Sequence, residues 1–128
     1  MALRESGEDY LEAVLVIGRE HGVVRSVDIA EHLGVTKASV SKAVSALQEH
    51  GYIAVVRRDV QLTEKGRERA EHVLEQHTFF RDLLVAAGVS PKLAAEEACH
   101  MEHCLSDDSF ARLKAYVRGA DRMSAPLL

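Results

Sequence analysis

The 128 residues are 47% hydrophobic, enough for a real core, and carry a formal net charge of −4, from 16 Lys and Arg against 20 Asp and Glu. No apolar run approaches the roughly 20 residues that span a bilayer, and Met1 to Tyr10 is polar, without the apolar core of a signal peptide. The two cysteines, Cys99 and Cys104, are too few for a secreted disulfide framework, so a cytoplasmic protein with no membrane partner is expected.

In chain order, Glu8 to Glu20 has apolar residues near helical spacing (Leu11, Val14, Leu15) and stops at His21-Gly22. Ser26 is the expected N-cap of a short helix through Leu33, with Ile29, Ala30 and Leu33 inward. Gly34-Val35 makes a tight turn. Thr36 caps a second helix in which Val40, Ala43, Val44 and Leu47 follow the i, i+3, i+4, i+7 rule until His50-Gly51. Two helices joined through a glycine turn resemble a helix-turn-helix.

Tyr52 to Val56 is β-prone, Arg57-Arg58-Asp59 reads as a polar tip and Val60-Gln61-Leu62 as the returning strand, which is the outline of a wing. Thr63-Glu64-Lys65-Gly66 opens a long helix to about Ala87. Ser90-Pro91 starts another, expected to reach about Leu105, and Ser106-Asp107-Asp108 is a capping signal for a last helix from Ser109 to about Arg118. The fold class is therefore mostly α: a winged helix-turn-helix over residues 1–70, then a helical domain over 71–128.

The average charge hides an asymmetry. Between Thr36 and Arg69 seven bases face four acids, whereas from Glu71 onward nine acids face six bases. The first segment suits phosphate and the second a cation. On a helix Cys99, Glu102 and His103 fall at i, i+3 and i+4, so a thiolate, a carboxylate and an imidazole share one face, a mixed donor set that suits a transition metal better than calcium or magnesium. Taken singly, His77 reads as a hydrogen-bonded histidine, and Glu12 as a surface acid. His100 lies about 100° around the helix from Cys99, and Cys104 is expected to pack. Asp9 and Glu12, at i and i+3, would repel one another and Glu102 if gathered without a cation.

Asp9-Tyr10-Leu11-Glu12, Val27 to Val35, Ser39-Val40-Ser41-Lys42, Leu62 to Gly66 and Cys99 to Ser106 together resemble the diphtheria toxin repressor and manganese transport regulator family, over nearly the whole chain. The resemblance implies a homodimeric winged-helix repressor with a helical dimerisation domain, activated by Mn(II) or Fe(II), one or two per subunit, that binds double-stranded operator DNA and controls metal-uptake genes. Transferred residue by residue, the manganese branch's site matches Asp9, Glu12, His77, Glu102 and His103, with Cys99 at a position usually held by Glu. In the iron branch the primary site resembles Cys99, Glu102 and His103, with Asp9 replacing a methionine, while its ancillary site keeps only His77, since Arg81 and Ala95 stand at the other positions. The SH3-like domain of the longer iron regulators is not expected.

Within that framework Thr36, Lys37, Ala38, Ser39, Ser41 and Lys42 are the expected DNA-contacting residues of the second helix, and Arg57 and Arg58 those of the wing. Cys99 should favour softer ions and admit Zn(II) or Co(II) in vitro. The alternative is a metal-independent winged-helix regulator that senses oxidation through Cys99 or binds a small molecule. His100-Met101-Glu102-His103 has neither of the zinc-protease spacings, and no enzyme is expected.

Overall fold

The computed structural model describes residues 5–122. They form α1 (Glu5–His21), α2 (Ser26–Leu33), α3 (Lys37–Glu49), β1 (Ile53–Val56), β2 (Asp59–Leu62), α4 (Glu64–Ala86), α5 (Pro91–Met101) and α6 (Asp107–Arg122). The chain divides into two compact units, one up to Leu74 and one from Glu75 onward. Among the described residues no helix is long and apolar enough to cross a membrane.

In the first unit, the apolar stripe of α1 supplies Leu11, Val14, Leu15 and Ile17 to a core closed by Ile29 of α2, Val40, Val44 and Leu47 of α3, Ile53 and Val60 of the hairpin, and Ala70 of α4. Leu11, Ile29 and Val40 are completely buried, each contributing about 1.5–3 kcal/mol by area transfer. Ser26 is the first helical residue of α2 rather than its cap: Arg25 takes the cap position, and its N–H donates to the carboxylate of Asp28 at 3.0 Å. The turn to α3 needs Gly34, at φ +68°, whose N–H bonds to Ala30 O. Thr36 caps α3 as expected, its Oγ1 accepting from Ser39 N at 3.1 Å.

β1 and β2 pair antiparallel from Ile53↔Leu62 to Val56↔Asp59. Asp59 therefore begins the returning strand, and the tip is Arg57-Arg58 alone. Both arginines are left-handed, with φ 51° and 67°, in a two-residue connection that normally prefers Asn-Gly. A non-glycine residue there costs about 1–2 kcal/mol.

The hairpin is held from two sides. Val60 N donates to Val24 O at 2.8 Å, Val24 N donates to Asp59 Oδ1 at 2.9 Å, and Gln61 Nε2 donates to Asp59 Oδ2 at 2.9 Å. On the other side, Thr63 Oγ1 donates to Gly51 O at 2.6 Å and accepts from Gly66 N, while Lys65 Nζ donates to His50 O and lies 4.2 Å from the centre of the Tyr52 ring. Gly66 permits this close approach, because a Cβ there would sit 1.9 Å from Tyr52 O.

In the second unit, Phe80, Ala98 and Phe110 form a core with Phe79, Met101, Leu105 and Leu113 against it. Phe79 packs edge-on to Phe80 and Phe110 at 5.3 and 5.4 Å. Ser90 caps α5, with Pro91 in its first turn. Two boundaries differ from expectation: α5 stops at Met101 instead of near Leu105, and α6 begins at Asp107 and passes Arg118 to Arg122. Cys104 N bonds to Met101 O in an i, i−3 turn and Ser106 Oγ accepts from Ser109 N as the cap of α6, so the α-helical bond pattern stops short of Leu105.

Gly66→Ala should destabilise the protein by about 1–3 kcal/mol despite alanine's better helix propensity, and thermal unfolding would read this as a lower Tm. Asp59 is held below the ordinary 3.8 by the Gln61 amide, then the Val24 N–H, then Arg25. A depressed carboxyl stabilises the fold above its unfolded pKa and loses that contribution as pH falls through the folded value. The stability gap between wild type and Asp59→Asn should therefore be present near neutrality and close below about pH 4, as pH-dependent denaturant unfolding would show.

Candidate metal centre and nucleic-acid interface

The end of α5 decides the metal-site geometry. Glu102 is the C-cap of α5 with helical φ −61° and ψ −21°, its N–H still bonding to Ala98 O at 3.0 Å, so it keeps the face it shares with Cys99, and His103 follows in the turn just after. That face is the inner one, and Glu102 is only 1% exposed. Its Oε2 is 3.0 Å from Nδ1 of His77, on α4, and its Oε1 is 3.2 Å from Nε2 of His103. That Oε1 is buried and receives no hydrogen bond. The donor atoms of His77, Cys99 and Glu102 lie within 4.8 Å of one another, while Cys99 stays open to solvent on its outer side.

Burying a carboxylate is costly unless charge and hydrogen bonds compensate it. Two neighbouring imidazoles and an unfulfilled oxygen make that compensation the business of a cation, and sulfur, nitrogen and oxygen donors together fit a divalent transition metal. His77, Cys99, Glu102 and His103 of the second unit are thus the residues able to hold one.

Asp9 and Glu12 lie on α1 in the first unit, spaced i, i+3 and so on one face. Glu8 beside them is buried and accepts from Arg69 Nε at 2.6 Å, which anchors this turn of α1 to the start of α4. Sequence reasoning points to neither Glu8 nor Arg69, since 61 residues separate them. His100 is exposed, and Cys104 does not pack: it is also exposed, its thiol donating to His100 O at 3.2 Å.

Thr36, Lys37, Ala38, Ser39, Ser41 and Lys42 are all exposed at the front of α3, on the side opposite its buried Val40, Val44 and Leu47. Thr36 Oγ1 donates to Ser39 Oγ at 3.0 Å, which leaves the Ser39 hydroxyl proton to point outward. Lys37 is exposed at the helix N-terminus, the positive end of its dipole. Arg57 and Arg58 are exposed at the wing tip.

Comparison with known proteins matches both parts of the chain to described domains. Residues 2–59 match the iron dependent repressor N-terminal DNA binding domain, and residues 63–122 match the iron dependent repressor metal binding and dimerisation domain. The chain is 34% identical over 116 residues to the transcriptional regulator MntR of Escherichia coli O6:H1, covering 90% of this chain and 75% of that one. It is 33% identical over 118 residues to an uncharacterized HTH-type transcriptional regulator of Methanocaldococcus jannaschii, covering 90% and 94%. A solved manganese-dependent transcriptional repressor in complex with manganese superimposes with a TM-score of 0.76 at 27% identity, over 86% of this chain and 51% of that one. The chain therefore belongs to the iron-dependent repressor family of metal-dependent transcriptional repressors, with a DNA-binding domain followed by a metal binding and dimerisation domain.

Proposed function

We infer that Asp9, Glu12, His77, Cys99, Glu102 and His103 hold Mn(II) or Fe(II), one or two ions per subunit, and that filling this site switches a cytoplasmic homodimer to its operator-binding state and represses metal-uptake genes. The observation that carries this reading is the buried Glu102 carboxylate, with His77 and His103 at its two oxygens and Cys99 beside it. When bound, the cation supplies the positive charge that lets Glu102, Asp9 and Glu12 stay ionised together. The solved repressor with manganese supports Mn(II), and the thiolate of Cys99 adds a soft donor that favours Fe(II), Co(II) or Zn(II) over Mg(II).

On the DNA side, Thr36, Lys37, Ala38, Ser39, Ser41 and Lys42 face the major groove, with Ser39 and Ser41 offering hydroxyls to base edges and Lys37 and Lys42 pairing with phosphates. Arg57 and Arg58 meet the backbone beside the groove. Coupling of about 1–3 kcal/mol between the metal and DNA sites is enough for a useful switch.

Apo-protein titrated anaerobically with Mn(II) and with Fe(II), in the presence of a promoter fragment from a metal-uptake gene, should bind that DNA about 5–150-fold more tightly when loaded. Glu102→Ala should abolish the gain. Equal affinity with and without metal would instead favour a thiol or small-molecule sensor.

The strained tip gives a separate outcome. Replacing it with the residues its backbone prefers, Arg57→Asn with Arg58→Gly, should raise Tm while weakening DNA binding by about tenfold, because two phosphate contacts are lost. Tm and fluorescence anisotropy measured on the same variant would show the two effects moving in opposite directions.

A further inference from the structure

The wing is fastened to the loop that follows α1 by one side chain and one backbone bond. Asp59 accepts from Val24 N at 2.9 Å through Oδ1 and from Gln61 Nε2 at 2.9 Å through Oδ2, and Val60 N closes the join on Val24 O at 2.8 Å. Val24 lies in the short connection between α1 and α2 and is buried. Asp59 immediately follows Arg57 and Arg58 and pairs with Val56 to close the turn. The tip is thus a two-residue, left-handed arginine turn of unfavourable backbone conformation, and its C-terminal post is pinned across 35 residues of sequence. Strained conformations persist where the surroundings over-determine them, and here the Asp59 bonds add to the ladder, the Val60–Val24 bond and the Thr63–Gly66 junction in fixing the strand.

We propose that Asp59 is a positioning residue for DNA binding: by bonding Val24 N and the Gln61 amide, it locks the hairpin to the loop after α1 and holds Arg57 and Arg58 in the geometry that reaches phosphate. The proposal rests on the reading of the wing arginines as DNA contacts, and it adds a residue that touches no DNA. It also gives α1, the helix that carries Asp9 and Glu12, a direct mechanical connection to the wing through its own C-terminal loop.

The test is the salt dependence of binding to a mixed-sequence duplex of about three helical turns, followed by anisotropy with saturating Mn(II), for wild type, Asp59→Ala, Arg57→Ala/Arg58→Ala and the triple variant. Each phosphate contact contributes about 0.9 to the slope of log K against log salt. The arginine pair should therefore lower the slope by about 1.8 for each protomer that meets the DNA, about 3.6 for the homodimer, and affinity by at least about tenfold. Asp59→Ala should lower it by a similar amount although it removes no cation, and the triple variant should lose no more than the arginine pair. Such non-additivity is the mark of residues acting as a unit.

A lower Tm with an unchanged slope in Asp59→Ala would make Asp59 a purely structural residue and overturn the proposal. An unchanged slope in the arginine pair would remove the wing reading itself, and the role of Asp59 with it. If Asp59→Ala does not fold, Asp59→Asn carries the test. Paired with Gln61→Ala, so that a flipped glutamine amide cannot remake the second bond, it keeps only the acceptor for Val24 N, so a slope between those of wild type and the arginine pair supports the proposal and a full wild-type slope overturns it.

Discussion

The rest of the second unit is arranged around a carboxylate that water does not reach. Glu102 is buried with one oxygen on His77 and the other facing His103 without a hydrogen bond. Protein alone stabilises an ionised group poorly in such a place, and bringing more acids near it makes matters worse. The local backbone serves the same end: Glu102 caps α5 in helical conformation, and Cys99, one turn earlier, stays near enough to share an ion with it. A fold that accepts these features is organised for a cation, in keeping with its match to a metal binding and dimerisation domain.

The first unit answers a different physical demand, that of presenting positive charge on a rigid frame. The front of α3 is polar and exposed while its back is packed, and the capping bond from Ser39 N to Thr36 fixes where that helix begins. The wing puts two arginines in a turn made for Asn-Gly. Conformational energy has been given up for charge at the tip, and the Val24–Asp59–Gln61 bonds and the Thr63–Gly66 junction hold the hairpin from either side. Because α1 leads into this junction and bears Asp9 and Glu12 near its start, one helix belongs to both the metal reading and the DNA reading.

Much of this was legible in the sequence. Helical spacing of Val40, Val44 and Leu47, the glycine turn at Gly34 and the Thr36 cap are local signals, and each corresponds to the observed element. The donor residues stood out as types that rarely cluster without reason. The end of α5 was not legible, because Glu102 and His103 are compatible with helix and only the competing cap at Ser106 stops it. The two-residue wing turn was hidden because Arg-Arg is the wrong sequence for its backbone, which put Asp59 at the tip instead of on the strand. The Asp59–Val24 and Glu8–Arg69 bonds join residues far apart in sequence, and no local pattern announces them.

The central claim is that Glu102 is a metal ligand and not merely a carboxylate hydrogen-bonded to histidine. The most direct measurement is anomalous diffraction at the manganese edge from crystals grown with Mn(II). A peak within bonding distance of a Glu102 oxygen and a His77 or His103 nitrogen, about 2.0–2.3 Å, is the predicted result. Ordered Glu102, His77 and His103 side chains with no anomalous peak among them at saturating Mn(II), or a peak bound only elsewhere, would contradict it.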